Sequence, residues 1–416
     1  MSDFQRSFAK VHLSKLPPEP PPIFNEDELQ EHVGDLRASS PNDSSSSASS
    51  ASSTGTIVPS ASRNLFEKPR GSAIKSRSAP LPWDDFFSQD LTFDHQTPLD
   101  TIRHHVYLTP PSSNGPLIVT HHGAGSSGLS FAAFTAELLK LLPNAGVLSL
   151  DARGHGLTTV KPAGSVSGGT KTPRTLDLSL KTLAEDLSFV VEALRTHMKW
   201  ATFPDIVLIG HSLGGAVVTE VAHQRLLGNA LLAYGVLDVV EGSAMDALQS
   251  MDTYLSTRPK SFPSLTSGIE WHTRSRTIRN TTSARVSVPS LLTESAEPPK
   301  TWTWRTDLAA TKPFWEDWFV GLSKKFLESR GGKLLLLAGT DRLDRELMIG
   351  QMQGKYQLQV FPEAGHFLHE DQPARTATVV ADFYRRNDRS AFVMPPKVDD
   401  LIRQGKLNPA PSPGRS

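Results

Sequence analysis

The chain contains no cysteine among its 416 residues. This absence excludes a thiol nucleophile, a disulfide framework and thiolate metal sites. A cysteine-free chain of this length is typical of an intracellular protein, so we expect a cytoplasmic location, a nuclear location or both. The first residues also lack the apolar stretch of a secretory signal, which favours the same expectation.

The chain also lacks an excess of charge of one sign. Lysine plus arginine and aspartate plus glutamate each number 43, so the formal net charge at pH 7 is zero. This balance gives no general electrostatic attraction to nucleic acid or to an anionic membrane, and we expect neither as a partner. The longest apolar run, at 334–338, has the length of a strand. A membrane span would need roughly 20 apolar residues.

Composition divides the chain into three parts. Residues 1–79 are rich in proline and serine, a composition that buries too little apolar surface to fold, and we predict that they are disordered. Residues 80–390 carry the apolar segments of a folded domain. Residues 391–416 are again rich in proline, and we predict a flexible tail.

Short apolar segments in the folded part predict strands that alternate with helices. Leu180, Leu183, Leu187 and Val191 keep the spacing of one helix face. The predicted strands are 117–120, 146–150, 206–209, 231–237, 334–337 and 357–361. Continuous apolar strands that alternate with helices indicate an α/β protein with a doubly wound, mostly parallel sheet.

The alternation stops between about residues 239 and 332, where a short crossover would suffice, and we predict an inserted lid or cap. This segment holds five of the seven tryptophans: Trp271, Trp302, Trp304, Trp315 and Trp318. Its part from 258 to 285 carries six basic residues and one acidic residue, Glu270. Two interpretations stay open, a surface that binds an acidic protein and a solvated charged face over core tryptophans.

The segment Gly210-His-Ser212-Leu-Gly214 fits the pattern G-x-S-x-G and lies between a predicted strand and a predicted helix. A sharp turn from strand to helix exposes the central serine above the sheet, and the glycines remove side chains that would clash there. The helix N-terminus then directs amide groups at the reacting oxygen. We therefore predict that Ser212 is a nucleophile.

A second glycine-rich loop, at 121–125, follows the strand at 117–120. A nucleophile of this kind needs amide donors for the oxyanion, one from the residue after the serine and one from such a loop. We predict the backbone N–H groups of Leu213 and Ala124 as donors, with Gly125 as the alternative to Ala124. A metal site at His121 and His122 lacks a third ligand with suitable spacing.

The predicted base is His366, directly after the last strand, in a loop that also contains Gly365. His369, three residues further on, is the competitor as a packing histidine. Between Ser212 and His366, two aspartates follow strands and could orient the imidazole: Asp238 after 231–237 and Asp341 after 334–337. Strand order alone slightly prefers Asp341, and the residues by themselves leave both open.

Several further segments resemble the protein phosphatase methylesterase family, whose members are serine esterases with the α/β-hydrolase fold. They are DVVEGSAMD at 238–246, SARV at 283–286, LAGTDRL at 337–343, GQMQGK at 350–355 and GHFLHED at 365–371. The resemblance spans roughly residues 82–388 and includes the predicted lid. It implies the triad Ser212, Asp238 and His366, and on that ground we choose Asp238 over Asp341.

The resemblance also implies the reaction, which is removal of the methyl ester from the C-terminal leucine of the type 2A protein phosphatase catalytic subunit. That subunit is then the expected partner, and the chemistry needs no metal or organic cofactor. The alternatives are a small-molecule carboxylesterase or lipase with the same triad, and a non-catalytic binding protein of the same fold. The intact serine, histidine and aspartates argue against the last of these.

Overall fold

The structure is a computed structural model that describes residues 77–112, 115–162, 176–296, 298–339, 343–389 and 403. Three predictions lie wholly or mainly outside these residues: the disordered segment 1–79, the tail 391–416 and the role of Asp341.

The described strands, in chain order, are β1 (Gln89–Gln96), β2 (Asp100–Thr109), β3 (Leu117–His121), β4 (Gly146–Asp151), β5 (Thr159–Pro162), β6 (Ile206–His211), β7 (Leu231–Leu237), β8 (Ser261–Phe262), β9 (Leu292–Glu294), β10 (Trp302–Trp304), β11 (Gly332–Leu337) and β12 (Gln357–Val360). The described α-helices are α1 (Ala132–Leu141), α2 (Leu180–His197), α3 (Leu213–Gln224), α4 (Glu241–Thr257), α5 (Leu265–Arg274), α6 (Thr281–Leu291), α7 (Trp315–Phe319), α8 (Leu322–Glu328), α9 (Arg345–Met352), α10 (Leu368–Asp371) and α11 (Pro373–Asn387).

Nine strands form one sheet in the order β1-β2-β4-β3-β6-β7-β11-β12, with β5 paired to β2. Every pairing from β4 to β12 is parallel, whereas β1, β2 and β5 form an antiparallel edge. The predicted α/β class with a mostly parallel sheet is confirmed. The antiparallel edge has no counterpart in the prediction, because its strands mix polar and apolar residues.

Helices cover both faces of this sheet because the central strands bury side chains on both. Val119 and Leu208 contribute to an apolar cluster with α2 and α3. Their neighbours Ile118 and Val207 point to the opposite face and join a cluster with α1 and α11. Because the strands from β4 to β12 in the sheet order run parallel, their carboxyl ends lie at the same end of the sheet. Loops that follow these strands can bring distant residues together there.

The insertion predicted at about 239–332 falls between β7 and β11. It contains α4 to α8 and a small antiparallel sheet in the order β8-β10-β9. Phe262, Ile269 and Leu292 form part of a separate small core within it. Trp315 and Trp318 instead join the main core. No helix in the described ranges is long and apolar enough to cross a bilayer.

Candidate active site

Ser212 occupies the turn between β6 and α3, at the carboxyl edge of the sheet. Its φ of 51° and ψ of −120° are unusual for a residue with a side chain and indicate local backbone strain. The Ser212 N–H donates to the Leu237 carbonyl at 3.0 Å, and the Ser212 carbonyl accepts from the Gly215 N–H at 2.8 Å. The backbone is thus fixed on both sides of the serine.

The glycines of the G-x-S-x-G segment are required by close backbone contacts. A Cβ atom at Gly210 would lie 2.0 Å from the Gly214 carbonyl oxygen. A Cβ atom at Gly214 would lie 2.0 Å from the His121 carbonyl oxygen. The loop after β3 therefore packs directly against the turn that carries Ser212.

Gly214→Ala is expected to destabilise the protein by about 3 kcal/mol or more, because backbone rather than a flexible side chain must move. The control is Gly242→Ala, since Gly214 and Gly242 are the second residues of α3 and α4. A Cβ atom at Gly242 meets nothing closer than 3.8 Å. Thermal unfolding should show Tm lowered by several degrees for Gly214→Ala only. Equal values for the two variants would contradict the steric argument.

Hydrogen bonds in the loop after β3 distinguish Ala124 from Gly125, the two candidate oxyanion donors that the sequence left open. The Gly125 N–H already donates to His155 Nε2 at 2.9 Å, while His155 Nδ1 donates to the Arg153 carbonyl at 2.9 Å. Burial lowers the pKa of His155, so its imidazole is neutral and Nε2 can accept this bond. Among the hydrogen bonds of the described residues, none uses the N–H of Ala124 or of Leu213. This arrangement favours Ala124 over Gly125.

His366 and Asp238 are brought together from separate loops. Nδ1 of His366 lies 2.8 Å from Oδ2 of Asp238, and the Asp238 side chain is fully buried. Oδ1 of the same carboxylate accepts from the Ala338 N–H at 2.8 Å. A carboxylate at this place keeps the proton on Nδ1 and leaves the Nε2 lone pair free for a hydroxyl.

No hydrogen bond joins the Ser212 hydroxyl to His366 within the described part of the chain. Catalytic hydrogen bonds are often long before substrate binds, so this does not argue against their pairing.

His369, the competing histidine, is completely buried and stacks on Phe131 with ring centroids 4.4 Å apart. Neither of its ring nitrogens has a hydrogen-bond partner in the described residues. Burial lowers its pKa well below the usual value, which keeps the ring neutral. The geometry is that of a packing residue.

His211, which sequence reasoning missed, contacts His366 and helps to hold its loop in place. Its Nε2 donates to the His366 carbonyl at 2.8 Å, and the two ring centroids lie 4.6 Å apart. Burial lowers the pKa of His211 to about 3, so the ring is neutral. His211 occupies a variable position of the G-x-S-x-G pattern, so the pattern gave no signal for this contact.

The insertion is fastened to the His366 loop by Asp371. This carboxylate accepts from the Gly365 N–H at 2.7 Å and from the Arg279 N–H at 2.8 Å. One residue earlier, the Glu370 carbonyl accepts from the Ser283 hydroxyl at 2.7 Å. Residues of the predicted lid region therefore contact the segment that carries His366, through Asp371 and Glu370.

Ser212, His366 and Asp238 line a cavity of about 630 Å³ between the sheet edge and the insertion. From the insertion, α4 contributes apolar side chains and the neighbouring segments contribute Trp271 and Trp304. Basic side chains also line it, namely Arg258, Arg276 and Arg279. The Arg258 guanidinium lies 3.7 Å from the ring centroid of Trp304. The cavity thus combines apolar side chains, basic side chains and the candidate reacting groups.

A family sequence model and a solved structure both match this chain and agree with the fold described above. Residues 118–379 match the sequence model of the α/β hydrolase family. The solved structure of E-2-(acetamidomethylene)succinate hydrolase superimposes with a TM-score of 0.54 at 16% identity, covering 71% of this chain and 100% of that one. The protein is therefore an α/β-hydrolase.

Several known proteins are far closer in sequence. Protein phosphatase methylesterase 1 of Aspergillus fumigatus is 60% identical over 100% of this chain and 96% of its own length. The Neurospora crassa protein of that name is 57% identical over 98% of this chain and 100% of its own. The protein of that name from Schizosaccharomyces pombe is 45% identical over 76% of this chain and 87% of its own length. The chain belongs to the protein phosphatase methylesterase 1 family and is a carboxylic-ester hydrolase.

Proposed function

We propose that this enzyme removes the methyl ester from the C-terminal leucine carboxylate of the type 2A protein phosphatase catalytic subunit. The observation that carries the proposal is one cavity that contains Ser212 on its strained turn together with the paired His366 and Asp238. The names of the relatives supply the phosphatase as the class of substrate.

In the proposed reaction, Ser212 Oγ attacks the ester carbonyl while His366 Nε2 accepts its proton. The N–H groups of Leu213 and Ala124 stabilise the tetrahedral oxyanion. His366 then protonates methanol as it leaves, and an acyl-enzyme on Ser212 remains. Water activated by His366 hydrolyses this intermediate and releases the carboxylate. No step calls for a metal ion or an organic cofactor.

The cavity suits the end of a protein chain. Its volume of about 630 Å³ lies in the range of sites that enclose a drug-sized ligand, and the last residue or two of a chain have a similar size. In a C-terminal methyl ester the scissile bond lies at the very end of the substrate chain. Only the last residues of that chain therefore have to enter the cavity. Arg276 and Arg279 line the same cavity and place positive charge along it.

The alternative function is a small-molecule carboxylesterase. The largely apolar wall formed by α4 and the tryptophans favours it, since such a wall binds any apolar acyl group. The two functions differ in the source of binding energy. A protein substrate gains contacts outside the cavity, and this energy raises kcat/KM for the protein ester alone.

The test compares two methyl esters of leucine: the methylated phosphatase catalytic subunit and N-acetyl-leucine methyl ester. Methanol release gives kcat/KM for each. We expect the protein ester to be favoured by at least about 100-fold, because remote contacts contribute to the transition state. Equal values, or faster cleavage of the small ester, would contradict the proposal and support the small-molecule carboxylesterase.

A further inference from the structure

A second polar cluster lies away from the cavity, at the antiparallel edge of the sheet. It consists of His95 on β1, His104 on β2 and Asp186 on α2. None of the three lines the cavity that contains Ser212. His104 is fully buried, whereas the His95 side chain retains 22% of its exposure. An ion from solution could therefore reach the cluster past His95.

The distances within the cluster are longer than good hydrogen bonds. His104 Nε2 lies 3.5 Å from His95 Nδ1 and 3.6 Å from Asp186 Oδ1, and His95 Nδ1 lies 3.8 Å from that same oxygen. A tetrahedral ion with these three atoms as ligands would lie about 2.2 Å from each, because the edge of a tetrahedron is about 1.63 times the distance from its centre to a corner. Zinc–nitrogen bonds measure about 2.0–2.1 Å and zinc–carboxylate bonds about 2.0–2.2 Å. The three atoms are thus spaced as the ligands of one ion.

The surroundings hold two of the three proposed ligands in place. The His95 ring stacks on Phe189 with centroids 3.8 Å apart and an angle of 7°. Arg153 binds the Asp186 carboxylate through two hydrogen bonds of 2.7 and 2.8 Å. Arg153 adds a positive charge near the cluster, and Asp100, 3.4 Å from its guanidinium, offsets that charge. Outer partners of this kind orient metal ligands.

Both imidazoles are neutral near pH 7. Burial lowers the pKa of His104 to about 4, and burial also lowers the pKa of His95. A neutral imidazole has a lone pair that can bind a metal ion.

We propose that His95 Nδ1, His104 Nε2 and Asp186 Oδ1 bind one divalent transition-metal ion, for which zinc is the probe, with water as a further ligand. Two histidines, a carboxylate and a water form a familiar zinc coordination sphere. The ion would join the β1–β2 hairpin to α2. Its role is structural, because the cluster lies outside the cavity.

The experiment uses the full chain without a polyhistidine tag. Zinc chloride is titrated calorimetrically, and cobalt(II) replaces zinc to give visible absorption that reports coordination by nitrogen and oxygen. The variants are His95→Ala and His95→Gln, and the control is His223→Ala, a partly exposed histidine on α3. Thermal unfolding with and without zinc and hydrolysis of a small ester complete the set.

We expect one zinc site in the wild type and in His223→Ala, with zinc raising Tm in both. Both His95 variants should bind zinc at least tenfold more weakly and lose the cobalt spectrum and the zinc-dependent shift in Tm. Their ester hydrolysis should be unchanged. His95→Gln retains a polar side chain of similar length, so it serves if His95→Ala fails to fold.

Three outcomes would overturn the proposal. The wild type could bind no zinc, in which case the cluster is a packed polar network only. The His95 variants could bind zinc as tightly as the wild type, which would place the ion elsewhere. Zinc could inhibit ester hydrolysis equally in all variants without a His95-dependent site, which would indicate binding at His366.

Discussion

Ser212→Ala is expected to reduce ester hydrolysis by about 10⁶-fold, the scale of losing the nucleophile of a serine hydrolase. In the proposed reaction this hydroxyl forms the covalent bond to the acyl group, and alanine offers no atom that could replace it. Alanine keeps a Cβ atom, so the strained backbone of the turn changes little. Turnover of methylated phosphatase and of a small ester should therefore fall together, while Tm stays within about a degree of the wild-type value.

The matched control is Ser243→Ala, which removes a hydroxyl from α4 in the wall of the same cavity. This variant should keep most of its activity. A fluorophosphonate should label the wild type and Ser243→Ala, but not Ser212→Ala. Turnover by Ser212→Ala above the uncatalysed rate would disprove its role as the nucleophile.

Asp238→Asn is expected to reduce turnover by about 10⁴-fold. Asparagine can keep an oxygen toward the Ala338 N–H, where Oδ1 of Asp238 now accepts at 2.8 Å. Its NH₂ group then faces His366 Nδ1, which must become an acceptor. The proton moves to Nε2, and the imidazole loses the lone pair that would take the serine proton. The change is isosteric, so the loss reports on the tautomer and the charge.

Asp341→Asn is the comparison, since Asp341 is the alternative acid that the residues by themselves left open. It should cost far less, and both variants should be assayed on the methylated phosphatase and on a small ester. A loss confined to the protein substrate would indicate a docking role for the residue concerned. If Asp341→Asn were the crippling change on both substrates, the assignment of Asp238 would be wrong.

The elements that the sequence predicted best are those whose residues lie close together in the chain. The strand at 206–209, the pattern around Ser212 and the helix that follows make one continuous segment. Their structure depends on local backbone geometry and on burial of successive apolar residues. The residue types at neighbouring positions indicate both. The mostly parallel sheet followed from the same local signals, because strands buried on both faces are apolar throughout.

The acid illustrates the limit of that reasoning. Asp238 and Asp341 both follow apolar strands, and strand order slightly preferred Asp341. Resemblance to a family favoured Asp238, and in the structure the Asp238 carboxylate lies 2.8 Å from His366. That distance depends on how β7, β11 and the His366 loop pack together. No local sequence pattern predicts this distance between Asp238 and His366.

The sequence by itself determined the α/β class, the turn that carries Ser212 and the loop that carries His366, since each depends on neighbouring residues. Only the tertiary structure decided that His155 accepts from the Gly125 N–H, that His211 donates to the His366 carbonyl and that Asp371 ties the insertion to the His366 loop. It alone also brought His95, His104 and Asp186 together. These contacts join residues far apart in the chain, and their distances are set by packing between elements, which a one-dimensional pattern does not record.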